Sequence, residues 1–176
     1  EEACHVEIDV LGHPIGKQDQ YAAAFGGLNY IAFQRDGRVH LDSVWVQGNG
    51  ASAVFHYFML LWTGVQRDAR MVLQEQRNNI GRTSETLIEM RDMAASCRDL
   101  MLGDGDVPTR LGALLNQGWR AKRSLANTIS TTDIDALYER ALAAGALGGK
   151  IAGAGGGGFL FLVVPPERQA QVRATL

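Results

Sequence analysis

The residues best able to do chemistry lie in two short, glycine-framed segments far apart in the chain. The first is Gly12-His13-Pro14-Ile15-Gly16-Lys17-Gln18-Asp19-Gln20-Tyr21. Gly16-Lys17 invites comparison with a phosphate-binding P-loop, which needs four residues between its glycines and a Ser or Thr after the lysine. Here three residues separate Gly12 from Gly16, and Gln18 follows Lys17. The P-loop reading fails. What remains is a lysine and an aspartate two positions apart at a helix start, where backbone amides and the helix dipole favour a charged carboxylate. A fixed carboxylate beside a cation can accept or orient a hydroxyl proton during phosphoryl transfer. The plainer reading stays open, that Asp19 caps its helix and Lys17 is solvated.

The second segment is Gly149-Lys150-Ile151-Ala152-Gly153-Ala154-Gly155-Gly156-Gly157-Gly158-Phe159. Gly153, Gly155 and Gly158 satisfy the spacing of a dinucleotide-binding turn. That turn must lead into a helix, whereas Phe159 to Val164 reads as a strand. A strand–glycine–strand arrangement is left. Five glycines in six positions exceed what a hairpin needs, so the backbone there is brought close to something. Either its amides form an anion-binding concavity, or the run is a tight turn packed under a sheet.

Around these segments the pattern predicts the following elements. Residues 1–10 end a helix closed by Gly12 and Pro14, and Asp19 to Phe25 form a short helix stopped by Gly26-Gly27. Strands Leu28–Phe33 and Arg38–Val46 flank an Asp36-Gly37 turn, and a loop follows at 47–50. Phe55–Trp62 reads as a third strand. Four helices come next: Val65–Asn78, Ser84–Leu102, one from Pro108, and one from Thr132 with a capping box to Asp135. Lys150–Gly153 and Phe159–Val164 are strands, and Pro165-Pro166 opens a last helix. Strands and helices mix without strict alternation, so the fold class is α+β.

Composition excludes several classes. The 176 residues are 46% hydrophobic and 20% charged, with a formal charge of −2, which suits a globular chain and gives no basic nucleic-acid surface. Cys4 and Cys97 lie far apart, so neither a disulfide framework nor a cysteine zinc site is expected. His5, His13, His40 and His56 show no metal spacing, and no metal ligands are assigned to this chain. Trp119 and Cys97 fall on apolar helix stripes and read as core. No apolar run approaches bilayer length and no signal peptide is visible, so a cytoplasmic location is expected. The start at Glu1 and the stop at Leu176 inside a helix suggest that both ends are cuts.

Taken together, the two segments resemble the GHMP kinases, the family of galactokinase, homoserine kinase, mevalonate kinase and phosphomevalonate kinase. Gly16-Lys17-Gln18-Asp19-Gln20 is similar to that family's catalytic-Asp segment, and Gly153 to Phe159 to its C-terminal glycine motif. The longer run Gly16 to Asn29, with Thr63-Gly64-Val65-Gln66-Arg67 and Gly148-Gly149-Lys150, resembles the heptose 7-phosphate kinases. The family's ATP loop and N-terminal motif have no counterpart here.

The resemblance implies a family C-terminal domain over 51–176, a ferredoxin-like split βαβ sheet with helices on one face, preceded by a remnant of the N-terminal domain over 1–50. It implies transfer of phosphate from ATP to a sugar hydroxyl, with Mg²⁺ held outside this chain. Asp19 would be the base or orienter, and Lys17 would assist it. Gly16, Gln18, Gln20 and the run Gly153, Ala154, Gly155, Gly156 and Gly157 would line the site. A phosphorylated sugar needs a cation at its far end, and Arg67, Lys122 and Arg123 are the candidates, each of which also reads as a solvated helix charge. For a heptose 7-phosphate the product would be the 1,7-bisphosphate. The alternatives are another small-molecule kinase acting on galactose, fucose or mevalonate, or a non-catalytic binding module of the same fold. The chain alone is expected to be inactive. An exposed apolar face could support a homodimer.

Overall fold

The computed structural model describes residues 1–44, 54–66 and 68–176. The loop expected at 47–50 and the candidate Arg67 lie outside the described residues.

The first helix, α1 (Glu2–Cys4), continues as a π-helix over His5–Val10 and turns at Gly12. Helix α2 (Gln18–Phe25) ends at Gly26 with φ +60°. Strands β1 (Asn29–Phe33) and β2 (Val39–Ser43) pair antiparallel as a hairpin. Its turn is the expected one: Gly37 takes φ +85°, and the Asp36 carboxylate accepts the Arg38 amide at 3.1 Å. Tyr21 of α2 meets Phe33 of β1 edge-on at 5.8 Å between ring centroids. The aspartate-bearing helix is thereby fixed to the hairpin.

The main sheet is antiparallel in the order β3 (Phe58–Trp62), β5 (Phe159–Val163), β4 (Gly148–Ile151). Because β3 and β4 both run against β5, they are parallel to each other and split by it, the expected split βαβ. Met59, Ile151, Leu160 and Leu162 alternate onto one face and join Trp119, Ile134, Tyr138 and Val172 in the main core. A second cluster places Phe58 and Val163 with Leu100, Met101 and Leu111, and with Tyr30 and Val44 of the hairpin segment. Leu60, Trp62 and Phe159 stay exposed on the sheet's other side.

Helix α3 (Ala69–Leu102) is one continuous helix of 34 residues, not the two separate helices Val65–Asn78 and Ser84–Leu102. Gly81 lowers helix propensity at the expected break, but the helix winds through it, and the Thr83 hydroxyl donates back to the Asn79 carbonyl at 2.9 Å. The helix also starts later than Val65. Asp68 caps it by accepting the Arg70 amide at 2.9 Å, and Val65 is held in the loop before it.

Helix α4 (Val107–Arg123) starts under an Asp106 cap, and Pro108 lies in its first turn. It packs on β4 at close range. A Cβ on Gly148 would fall 1.9 Å from the Gly112 carbonyl oxygen, so glycine there is a condition of helix–strand contact. Gly148 and Gly149 thus open a strand, two residues before the start expected at Lys150. Helix α5 (Thr132–Ala143) is capped one residue earlier than the box predicts. The Thr131 hydroxyl accepts the Ile134 amide at 3.3 Å, which frees Asp135 for another partner. A 3₁₀ turn, Pro166–Arg168, leads into α6 (Gln169–Thr175).

Candidate functional site

The two chemistry-bearing segments meet across one cleft of about 750 Å³. Ile15 to Asp19 form one wall, continued by Phe33, Gln34 and Gly37 of the hairpin. The opposite wall is Ala69, Leu73 and Gln76 of α3, Lys122 at the end of α4, and Gly153 and Ala154 of the glycine turn. Such a volume accommodates a small ligand.

Asp19 lies exposed in the first turn of α2, and Lys17 occupies the N-cap position. No side-chain cap closes that helix start, so the capping role does not account for Asp19. Lys17 and Asp19 do not pair with each other among the described ion pairs. Both are left facing the cleft, together with Gly16 and Gln18. Gln20 is turned away from it. Its Nε2 donates to the Glu7 carboxylate at 3.1 Å, which ties α2 to the π-helical turn.

The glycine run divides into two parts. Gly153 and Ala154 line the cleft, and their carbonyls are held from behind. Lys122 Nζ donates to the Gly153 oxygen, and Gln76 Nε2 to the Ala154 oxygen at 3.4 Å. Gly155 to Gly157 instead pack against the protein. The Gly156 amide donates to the Ile129 carbonyl at 2.7 Å, and the Gly158 amide to the Val65 carbonyl at 2.8 Å. A Cβ on Gly155, at φ +112°, would come within 2.8 Å of the Ile129 oxygen, and one on Gly157 within 2.5 Å of the Val65 oxygen. Of the two readings of the run, tight backbone packing accounts for Gly155 to Gly157. The cleft takes its edge from the first turn only.

Several residues that hold this wall do not stand out in the sequence. The Glu75 carboxylate accepts the Asn127 and Thr128 amides at 3.0 and 3.2 Å and the Thr128 hydroxyl. These bonds, the hydroxyl first, hold its carboxyl below the usual range. Asn79 donates to the Leu125 carbonyl at 2.8 Å, and Thr63 to the Gly158 carbonyl at 2.8 Å. Glu75, Gln76 and Asn79 lie on one side of α3 in neighbouring turns. Breaking that helix in two hides their common face.

The candidate cations separate. Arg123 pairs with the Asp135 carboxylate, which also accepts the Ser130 hydroxyl at 2.6 Å. That pair staples the end of α4 to the start of α5 and does not line the cleft. Lys122 does line it. Burial, with the Lys150 cation as a lesser cause, pushes its ammonium down to about 8. Among the described residues no group of three or more His, Cys, Asp or Glu could hold a metal ion, so no metal site is assigned here. No helix of the described residues is long and apolar enough to cross a membrane.

Residues 106–176 match the family described as GHMP kinases, C terminal. The chain is 30% identical over 169 residues to a D-glycero-alpha-D-manno-heptose 7-phosphate kinase of Campylobacter jejuni, covering 95% of this chain and 49% of that protein. Its fold superposes with a TM-score of 0.65 on the crystal structure of a D-glycero-D-manno-heptose 1-phosphate kinase from Bacteroides thetaiotaomicron, at 26% identity, covering 98% and 46%. L. major mevalonate kinase in complex with R-mevalonate shares the fold at a TM-score of 0.69 and 20% identity, covering 90% and 47%. The chain spans about half the length of the relatives it matches.

Proposed function

From a chain that belongs to the GHMP kinases, we propose a part in ATP-dependent phosphoryl transfer to a sugar phosphate, with D-glycero-D-manno-heptose 7-phosphate as acceptor and its 1,7-bisphosphate as product. The observation that carries this reading is the meeting of Lys17 and Asp19 with the Gly153–Ala154 turn across one cleft. An exposed carboxylate free of a cap is available to a substrate hydroxyl.

In this reading the acceptor's anomeric oxygen attacks the γ-phosphorus of ATP, the bond to the ADP oxygen breaks, and the hydroxyl proton passes to Asp19. Lys17 lowers the acceptor hydroxyl's pKa. The Gly153–Ala154 backbone, braced by Lys122 and Gln76, fixes the opposite wall. Positioning of this kind supplies much of the rate in phosphoryl transfer. The donor's main phosphate loop and the Mg²⁺ ligands would come from chain outside these residues, and these residues alone would be inactive.

The test is ADP release by the complete protein with heptose 7-phosphate, galactose, fucose and mevalonate offered in turn. Release with the heptose phosphate alone supports the reading, and release with another acceptor keeps the kinase but changes its substrate. No release with any of them favours the non-catalytic module.

A further inference from the structure

A second cavity, about 440 Å³, adjoins the cleft and shares Gln18, Phe33 and Lys122 with it. Its walls are Tyr30 and Ile31 of the hairpin, Met90, Met93 and Cys97 of α3, and Leu114 and Trp119 of α4. Two lysines line this apolar space: Lys122 from α4, whose Nζ donates to the Gly153 carbonyl of the adjoining cleft, and Lys150 from β4. Both are half-buried.

Among the described residues no carboxylate neutralises them. No Asp or Glu lines the cavity. Neither lysine joins any ion pair among the described residues. Residues 45–53 and Arg67 contain no carboxylate. Burial pushes both ammonium groups down, and Lys150 presses further on Lys122. Two neighbouring cations in an apolar setting are costly unless an anion joins them. Arg98, the cavity's third cation, already pairs with Asp99 and stacks on Tyr30 at 4.8 Å.

We infer that Lys150 and Lys122 together seat the acceptor's own phosphate, so that this pair selects a sugar phosphate over a free sugar. The inference rests on the phosphotransfer reading above and names the residues that set its substrate class. Lys122 lines both spaces. An acceptor hydroxyl at Asp19 and a far phosphate at Lys150 would then lie along one continuous channel, with Phe33 against the sugar between them.

The test uses the complete protein and compares kcat/KM for heptose 7-phosphate and for the unphosphorylated heptose. In Lys150→Met the preference for the phosphorylated acceptor should fall roughly 10- to 100-fold through KM, and Lys150→Arg should recover most of it. Thermal denaturation of each variant separates lost recognition from lost fold. If Lys150→Met does not fold, Lys150→Gln takes its place. A folded Met or Gln variant that keeps the wild-type preference overturns the inference while leaving the kinase reading standing. A wild-type enzyme that turns over no sugar phosphate overturns both.

Discussion

The Gly156 amide donates to the Ile129 carbonyl oxygen at 2.7 Å, and a Cβ on the adjacent Gly155 would approach that same oxygen to 2.8 Å. The run is held against the 3₁₀ turn Asn127–Ile129 by contacts only a bare backbone can make. Gly155→Val should therefore act first on stability. A β-branched residue at φ +112° carries strain of about 1–3 kcal/mol, and the clash adds to it. Denaturant melts of the complete protein should show a clear loss. Unchanged stability would mean that the turn has room the geometry denies it.

Asp19 presents the opposite case. It is exposed and caps nothing, so Asp19→Asn should leave the melting temperature in place. On the phosphotransfer reading, kcat should fall about 100-fold or more, the range of a lost general base, with little change in ATP affinity. Steady-state ADP release checks both. Full turnover in the variant would remove Asp19 from the chemistry.

Arg123 should prove structural. Its pair with Asp135 joins α4 to α5 away from the cleft. Arg123→Ala is expected to cost about 1 kcal/mol of stability while the KM for the acceptor stays put. A large rise in KM with intact stability would return Arg123 to the site.

Tyr138 carries a pH signature. Its hydroxyl donates to Asn116 at 2.9 Å and accepts the Gly149 amide at 3.2 Å. Burial pushes the phenol up to about 12, against an opposing bond to Gly149. A raised value in the fold means that the unfolded chain ionises first as pH rises. Stability from this group is complete below about pH 10 and declines between there and about 12. Tyr138→Phe should lose about 1–3 kcal/mol at neutral pH and show a shallower alkaline decline than wild type. Parallel alkaline curves would assign the decline to other groups.

Much of this arrangement is legible in the sequence because its signals are local. The Asp36-Gly37 turn, the Pro108 helix start and the Phe159 strand each depend on a few neighbouring residues, and each is found where expected. The continuity of α3 is not legible, because Gly81 and Thr83 weaken the helix locally while contacts far along the chain sustain it. Glu75 and Asn79 reach residues 127, 128 and 125. The site divides the same way. Asp19 and the glycine run announce themselves by type and spacing. The capture of Arg123 by Asp135 and the exposure of Lys150 to the second cavity require the packing of α4 on β4 and α5. No spacing rule encodes that.

The strand order also bears on how the chain reaches this state. Among the described residues β3 pairs only with β5, and the Thr63–Gly158 hydrogen bond spans 95 positions. Helices α3 and α4, joined by the short stretch Gly103 to Asp106, need no such reach and can associate early. Strand β3 must wait for a partner at the far end of the chain, and closing so long a loop is entropically expensive. Refolding should consequently be slower than for a helical bundle of equal size, with Phe58–Trp62 left as an unpaired, apolar, aggregation-prone edge until β5 arrives.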